Sequence, residues 1–185
     1  MSNIKGHLFI EVLNYLTQHY GGDGVQKVLD SLDDEDKTVL SKKIITLSWL
    51  SAKTFNNLLE QAVMVLAGGD YYLAHELGRY QAEKGISAFY QVFIKMGNPS
   101  FVIKRASQLW KTLHDEGELE VQMTGEKSAT VKILGYKDAS KAQCRSFMGY
   151  CEKVLEMSGA KKAEIFETKC ATKGAMCCEF VGNWE

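Results

Sequence analysis

Proline is nearly missing. Pro99 is the only one in 185 residues, and no Gly/Ser-rich or single-sign charged stretch stands in as a linker, so nothing marks a hinge between separately folded parts. A single domain spanning 1–185 is expected. An excess of either charge is also missing. Twenty-two Lys and Arg against 23 Asp and Glu leave a formal net charge of -1, so no charge excess calls for a nucleic-acid backbone or an anionic membrane as partner. The longest apolar runs, such as Ala62 to Gly68, fall far short of the roughly 20 residues a membrane span needs. The opening Met1 to His7 has no basic stretch feeding an apolar run, which reads as no secretory signal and a cytoplasmic, reducing setting. Catalytic signatures are missing too: there is no phosphate-cradling glycine loop, no Gly-x-Ser-x-Gly elbow and no His-Glu-x-x-His pair. The expectation is a protein that is not an enzyme.

What is present is helical first and strand-like later. Ile4, Leu8, Phe9, Val12, Leu13 and Leu16 recur at helical spacing until Gly21-Gly22, and a short second helix is expected over Gly24 to Leu32. The acidic run Asp33 to Asp36 reads as a solvated helix start without a binding role. Ser51 can cap a helix with Phe55, Leu58, Leu59, Ala62, Val63 and Leu66 on one stripe, ending at Gly68-Gly69, and Asp70 can cap the next. Tyr71 to Met96 is unusually aromatic, as one kinked helix or two. Asn98-Pro99-Ser100 starts a further helix carrying Val102, Ala106, Leu109, Trp110 and Leu113.

After Gly117 the period changes to two. Leu119, Val121 and Met123 alternate with polar residues, as do Ala129, Val131 and Ile133 beyond a turn at Gly125 to Lys127, which reads as a hairpin. Ser140 to Met157 returns to helical spacing, and Ala163 to Thr168 and Cys178 to Trp184 are two further strands about a Gly174 turn. The fold class is α+β: a mainly helical part over 1–116, then a ββαββ part over 117–185 whose antiparallel sheet the helices cover.

Five cysteines, Cys144, Cys151, Cys170, Cys177 and Cys178, all fall in the last quarter. In a reducing setting they point to metal or packing before disulfides. The run Glu167-Thr-Lys-Cys170-Ala-Thr-Lys-Gly174-Ala-Met-Cys177-Cys178 places a carboxylate and thiols around a turn between strands, flanked by Lys169 and Lys173. With Cys144 from the preceding helix, three thiolates and a carboxylate complete a closed tetrahedral shell for zinc, structural because no position stays open. Cys177 and Cys178 point to opposite strand faces, so only one of them can be a ligand. Cys144 and Cys151 also lie on an apolar helix stripe, where free cysteine serves equally as a small hydrophobe. Of the scattered histidines His7, His19, His75 and His114, the last closes an apolar helix near Trp110; it suits a haem ligand or an ordinary C-terminal helix histidine.

The run Glu76-Leu-Gly-Arg-Tyr-Gln-Ala-Glu83, Gly97 to Phe101, Leu109-Trp110 and Gly117 to Val121 resembles a large myxobacterial-type paralogous bacterial family. Gly149-Tyr150, Gly159-Ala160, Glu167-x-x-Cys170, Gly174 and Cys178-Glu-Phe180 resemble the 4-vinyl-reductase-type small-molecule-binding domain, a fold shared with phenol sensors, Golgi transport-particle subunits and, more distantly, haem nitric-oxide-binding domains. In the phenol sensors a zinc ion is held by Cys, Glu, Cys and Cys, and Cys144, Glu167, Cys170 and Cys178 fall at the same relative spacings. The resemblance implies a ligand-binding domain, often a homodimer through its N-terminal part, with an apolar pocket between helices and sheet. Tyr72, Tyr80, Phe89, Tyr90, Phe93, Trp110 and Met123 are then the expected lining, although aromatics at helical spacing serve a plain core equally well.

The reading is a sensor module with structural zinc rather than haem and a small apolar or aromatic ligand. Its signal is expected to leave through a dimer or a protein partner. A scaffold with a self-filled pocket and a haem gas sensor built on His114 are the alternatives.

Overall fold

The computed structural model describes residues 2–85, 94 and 97–185. A short strand β1 (Asn3–Lys5) leads into helix α1 (Gly6–Asp30), followed by α2 (Asp34–Leu40), β2 (Trp49–Ser51), α3 (Ala52–Ala67) and α4 (Tyr72–Gly85). Beyond these lie α5 (Pro99–Ile103), α6 (Ala106–Leu113), β3 (Glu118–Gly125), β4 (Ser128–Leu134), α7 (Lys141–Met157), β5 (Ala163–Lys169) and β6 (Cys178–Trp184). The class is α+β, with a four-stranded antiparallel sheet in the order β3-β4-β6-β5.

The caps form where the side chains allow them. Ser51 accepts from the Thr54 N–H, Asn98 from Phe101 N–H and Ser140 from Gln143 N–H, each satisfying a donor that the first helical turn leaves unpaired. At Gly21 the backbone is left-handed (φ 68°), breaking α1 into the two helical runs that the sequence separates at this point.

Three expectations change. Ile4 belongs to β1, paired with Leu50 of β2, because the N-terminal residues find strand partners before the helix begins. Asp36 of the acidic run is buried, and its carboxylate accepts from the Asn57 amide at 2.7 Å, so this part of the run ties α2 to α3. The helix expected from Pro99 onward is two, α5 and α6, interrupted at Lys104 and Arg105.

One helix crossing organises the rest. Gly78 of α4 lies directly against the Ser146 carbonyl of α7, and Gly149 of α7 against the His75 carbonyl of α4, so neither site has room for a Cβ. A buried polar chain bridges the crossing: Ser146 Oγ donates to Gln81 Oε1 at 3.1 Å, and Gln81 Nε2 donates to the Leu8 carbonyl of α1 at 3.0 Å. α7 meanwhile lies on the sheet, where Leu119, Val131, Ile133, Ile165, Phe180 and Trp184 are buried by strand alternation. That placement puts α7 beside both features described next.

Candidate functional site: a thiol-rich corner and an apolar cavity

Cys144 lies in the first turns of α7, Glu167 near the end of β5, Cys170 just past it, and Cys178 at the start of β6. One ligand atom from each lies within 4.8 Å of the others. A separation of three on a regular strand would put Glu167 and Cys170 on opposite faces. The β5–β6 register instead shifts between Glu167 and Lys169, and this bulge spends one residue so that both side chains turn inward. Cys178 faces inward with Phe180, Gly182 and Trp184, whereas Cys177 precedes the strand and stays outside the cluster.

The cluster has the spacing and charge of a cation site. The Cys144 and Cys178 sulfurs are 3.7 Å apart, close to the ~3.8 Å edge of a tetrahedron with metal–sulfur bonds of about 2.3 Å. Glu167 Oε1 is buried with no hydrogen-bond partner, an arrangement that costs free energy unless something positive faces it. The Cys178 thiol is pushed below its ordinary range by the Cys144 S–H and the Ala171 N–H, the latter 3.4 Å away, while the Cys144 thiol is pushed up in the same exchange. Lys173 Nζ lies 3.7 Å from Glu167 Oε2, partly offsetting the anionic set. Lys169 turns away to Glu179 at 3.1 Å.

Beside Cys144, along α7 from Gln143 to Leu155, lies a cavity of about 350 Å³, within the range of small-molecule sites. Its walls are apolar: Leu109, Trp110 and Leu113 of α6, Phe147 and Val154 of α7, Leu119 and Val131 of the sheet, Leu8 of α1 and Phe55 of α3. Polar residues interrupt it sparsely, among them Gln81, Gln143, Tyr150 and His114.

The His114 imidazole stacks flat on Trp110, with ring centroids 3.6 Å apart, and its Nδ1 is buried without a partner. Burial lowers its pKa to about 4, so it is neutral at physiological pH. Cys151 also lines the cavity, and burial pushes its thiol up to about 12. Tyr150 is pushed upward for the same reason.

The expected lining is only partly placed there. Trp110 lines the cavity, with its indole N–H donating to the Gly117 carbonyl at 3.1 Å. Tyr72 is 63% exposed on the outer side of α4. The Tyr80 hydroxyl accepts from Gln18 at 2.9 Å and its ring packs on Tyr15, away from the cavity. Met123 packs at the margin of the core beyond the cavity wall. Aromatic content alone therefore misplaces the two tyrosines, because α4 presents Leu77, Gly78 and Gln81 inward and its tyrosines outward. Phe89, Tyr90 and Phe93 lie outside the described residues. Sequence reasoning missed Phe147, Tyr150, Leu109 and Leu113 as wall residues; the α6 and α7 stripes contained them, but only the tertiary arrangement shows that a space opens between.

No family model matches the chain, and no curated protein matches it by sequence. Its shape does find counterparts. The Fe(II) unliganded H-NOX protein from K. algicida is similar at a TM-score of 0.74 with 15% identity, covering 98% of this chain and 97% of that one. The H-NOX protein from S. oneidensis in the Fe(II)NO ligation state is similar at 0.75 with 12% identity, covering 98% and 99%. An H-NOX structure used to probe heme distortion is similar at 0.71 with 15% identity, covering 98% and 95%. This chain shares the α+β fold of H-NOX proteins over nearly its whole length.

Proposed function

We propose that this chain is a small-molecule-binding sensor module, with zinc held by Cys144, Glu167, Cys170 and Cys178 and an apolar ligand held in the adjoining cavity. The observation that carries the reading is the shared helix: α7 supplies Cys144 to the corner and Gln143, Phe147 and Tyr150 to the cavity wall. Zinc at the corner would tie the start of α7 to β5 and β6, and binding energy at such a closed site is folding energy. The cavity wall is then held open by a fixed element, which favours a preformed site.

The chemistry of the lining supports binding rather than catalysis. His114, Cys151 and Tyr150 are each held in their neutral forms by burial, and no carboxylate lines the cavity among the described residues. A mostly apolar space whose cationic residue, Arg105, is turned onto the Phe101 ring selects a compact apolar or aromatic molecule with few polar atoms. Occupancy would shift α6 against α7 and pass outward through a dimer or a protein partner.

The test is thermal denaturation with and without a small aromatic such as indole. Stabilisation that grows with concentration, and is lost in Ala106→Trp where the new side chain fills the cavity, is the expected result. No stabilisation, with no organic molecule retained through purification, would turn the reading to a scaffold.

A haem reading is favoured by two observations: the H-NOX-like fold and the unpartnered Nδ1 of His114 beside the cavity. Haem would bring a gas-binding iron, with His114 as its protein ligand. The rest of the lining fits it less well. Arg105 is its cationic residue among those described, and that guanidinium already lies 3.6 Å over the Phe101 ring and donates to the Phe101 carbonyl at 3.2 Å. A Soret band on adding haem, abolished in His114→Ala, would establish the haem reading; its absence would remove it.

A further inference from the structure

Far from the thiol corner in sequence, the segment between α2 and β2 carries a feature that neither metal nor cavity uses. Its backbone is pinned. The Gly6 N–H donates to the Ser48 carbonyl at 2.9 Å, the His7 N–H to the Thr46 carbonyl at 3.0 Å, and the Ser48 hydroxyl to the Ile45 carbonyl at 2.7 Å. The turn so fixed holds Leu47 75% exposed, Ile45 64% exposed and Trp49 43% exposed. Three large apolar side chains at alternate positions are thus presented to solvent by a backbone ordered at both ends, a grouping that marks a contact surface more often than a stray exposed residue does.

Lysines flank it closely. Lys42 and Lys43 precede the turn and are exposed. Lys5 donates to the Leu47 carbonyl at 3.0 Å, and its ammonium lies 3.6 Å over the Trp49 ring. Lys53 is paired with Glu35 at 3.7 Å and adds no free charge. The net charge of -1 for the whole chain therefore conceals a local basic collar around an apolar tip.

We propose that this turn docks the protein onto an anionic lipid bilayer surface. Ile45 and Leu47 enter the boundary between headgroups and acyl chains, Trp49 takes the interfacial position that indole favours, and Lys5, Lys42 and Lys43 face anionic headgroups. A bilayer fits better than a protein. Three side chains on one turn fall well short of the roughly 800 Å² per partner that a stable protein interface buries. A second copy meeting the same patch across a two-fold axis would set these lysines against one another. A lipid surface moulds itself to a small tip and supplies the complementary charge. The attachment is peripheral, since no helix among the described residues is long and apolar enough to cross a membrane.

The experiment is co-flotation of the full chain with vesicles of phosphatidylcholine alone and of phosphatidylcholine mixed with phosphatidylserine. Binding that requires phosphatidylserine and weakens with added salt is expected. The double substitution Ile45→Ser, Leu47→Ser should lower affinity by about tenfold or more. Lys42→Gln and Lys43→Gln should each lower it about fivefold on the anionic vesicles. All four side chains but none of their buried neighbours change, so an unaltered melting temperature shows that the variants fold. Vesicle binding absent with either lipid, or unaffected by the double substitution, would overturn the proposal. So would concentration-dependent self-association that the double substitution abolishes, since the tip would then be covered by a second copy.

Discussion

The thiol corner and the apolar cavity share a helix yet are built on opposite principles. The corner is made by side-chain identity: four residues of unusual type, two of them 34 positions apart, meet within 4.8 Å. The cavity is made by arrangement, with ordinary apolar residues from several helices and the sheet leaving a space that no single residue announces. A site of the first kind loses everything when one donor is replaced. A site of the second kind tolerates most single changes and fails only when the space is filled or its frame is moved.

That contrast can be broken first at the corner. Cys170→Ser or Cys178→Ser should cost about 4 kcal/mol or more, or leave the chain insoluble, because the binding energy of a structural zinc ion is lost with the ligand. Cys177→Ser, outside the cluster, should cost only about 0.5 kcal/mol. Denaturant unfolding together with zinc content per chain measures both, and equal tolerance at all five cysteines would contradict the assignment.

The cavity has a pH signature. His114 has a folded pKa of about 4 against 6.5 in the unfolded chain, so the unfolded state takes up its proton first as pH falls. Its neutral form contributes in full above pH 6.5, and up to about 3 kcal/mol of stability is lost as pH falls from 6.5 through 4. Unfolding free energies across that window should flatten in His114→Phe.

The frame shared by both regions comes next. Gly78→Ala or Gly149→Ala puts a methyl group against the carbonyl of Ser146 or His75 and should cost about 2 kcal/mol by forcing α4 from α7, seen as a lower urea midpoint.

The smallest effect has the opposite pH sign. The His75 ring bonds Glu152 at 2.8 Å, an interaction that raises its pKa above 6.5. Its contribution is present below pH 6.5 and is lost as pH rises through the raised value. His75 is partly exposed, so solvent screening keeps this below about 1 kcal/mol, and His75→Gln should remove it.

The same contrast explains what the sequence reveals. Helices and strands follow apolar periods, and the caps at Ser51, Asn98 and Ser140 stand where their residue types allow. The clustering of cysteines beside Glu167 is legible, but spacing alone leaves Cys144 equally a core residue and Cys177 open against Cys178; the resemblance to the phenol sensors is what singles out the four residues that the fold brings together. The bulge that turns Glu167 and Cys170 to one side is not legible, since it arises from the pairing of β5 with β6. Nor is the cavity. Tyr72 and Tyr80 carry the aromatic signal but occupy the outer side of α4, where their hydroxyl groups find Glu76 and Gln18, whereas Leu109, Leu113 and Phe147 look like any core stripe until the helices are set in place. β1, three residues long, is stabilised by its partner β2 rather than by any pattern of its own.

Native mass spectrometry of protein purified without added metal, recorded before and after denaturation, tests the central claim most directly. The account predicts one zinc per folded chain and an organic mass released on unfolding. A folded chain carrying neither would contradict it, returning the cysteines to the core and leaving the cavity without a ligand.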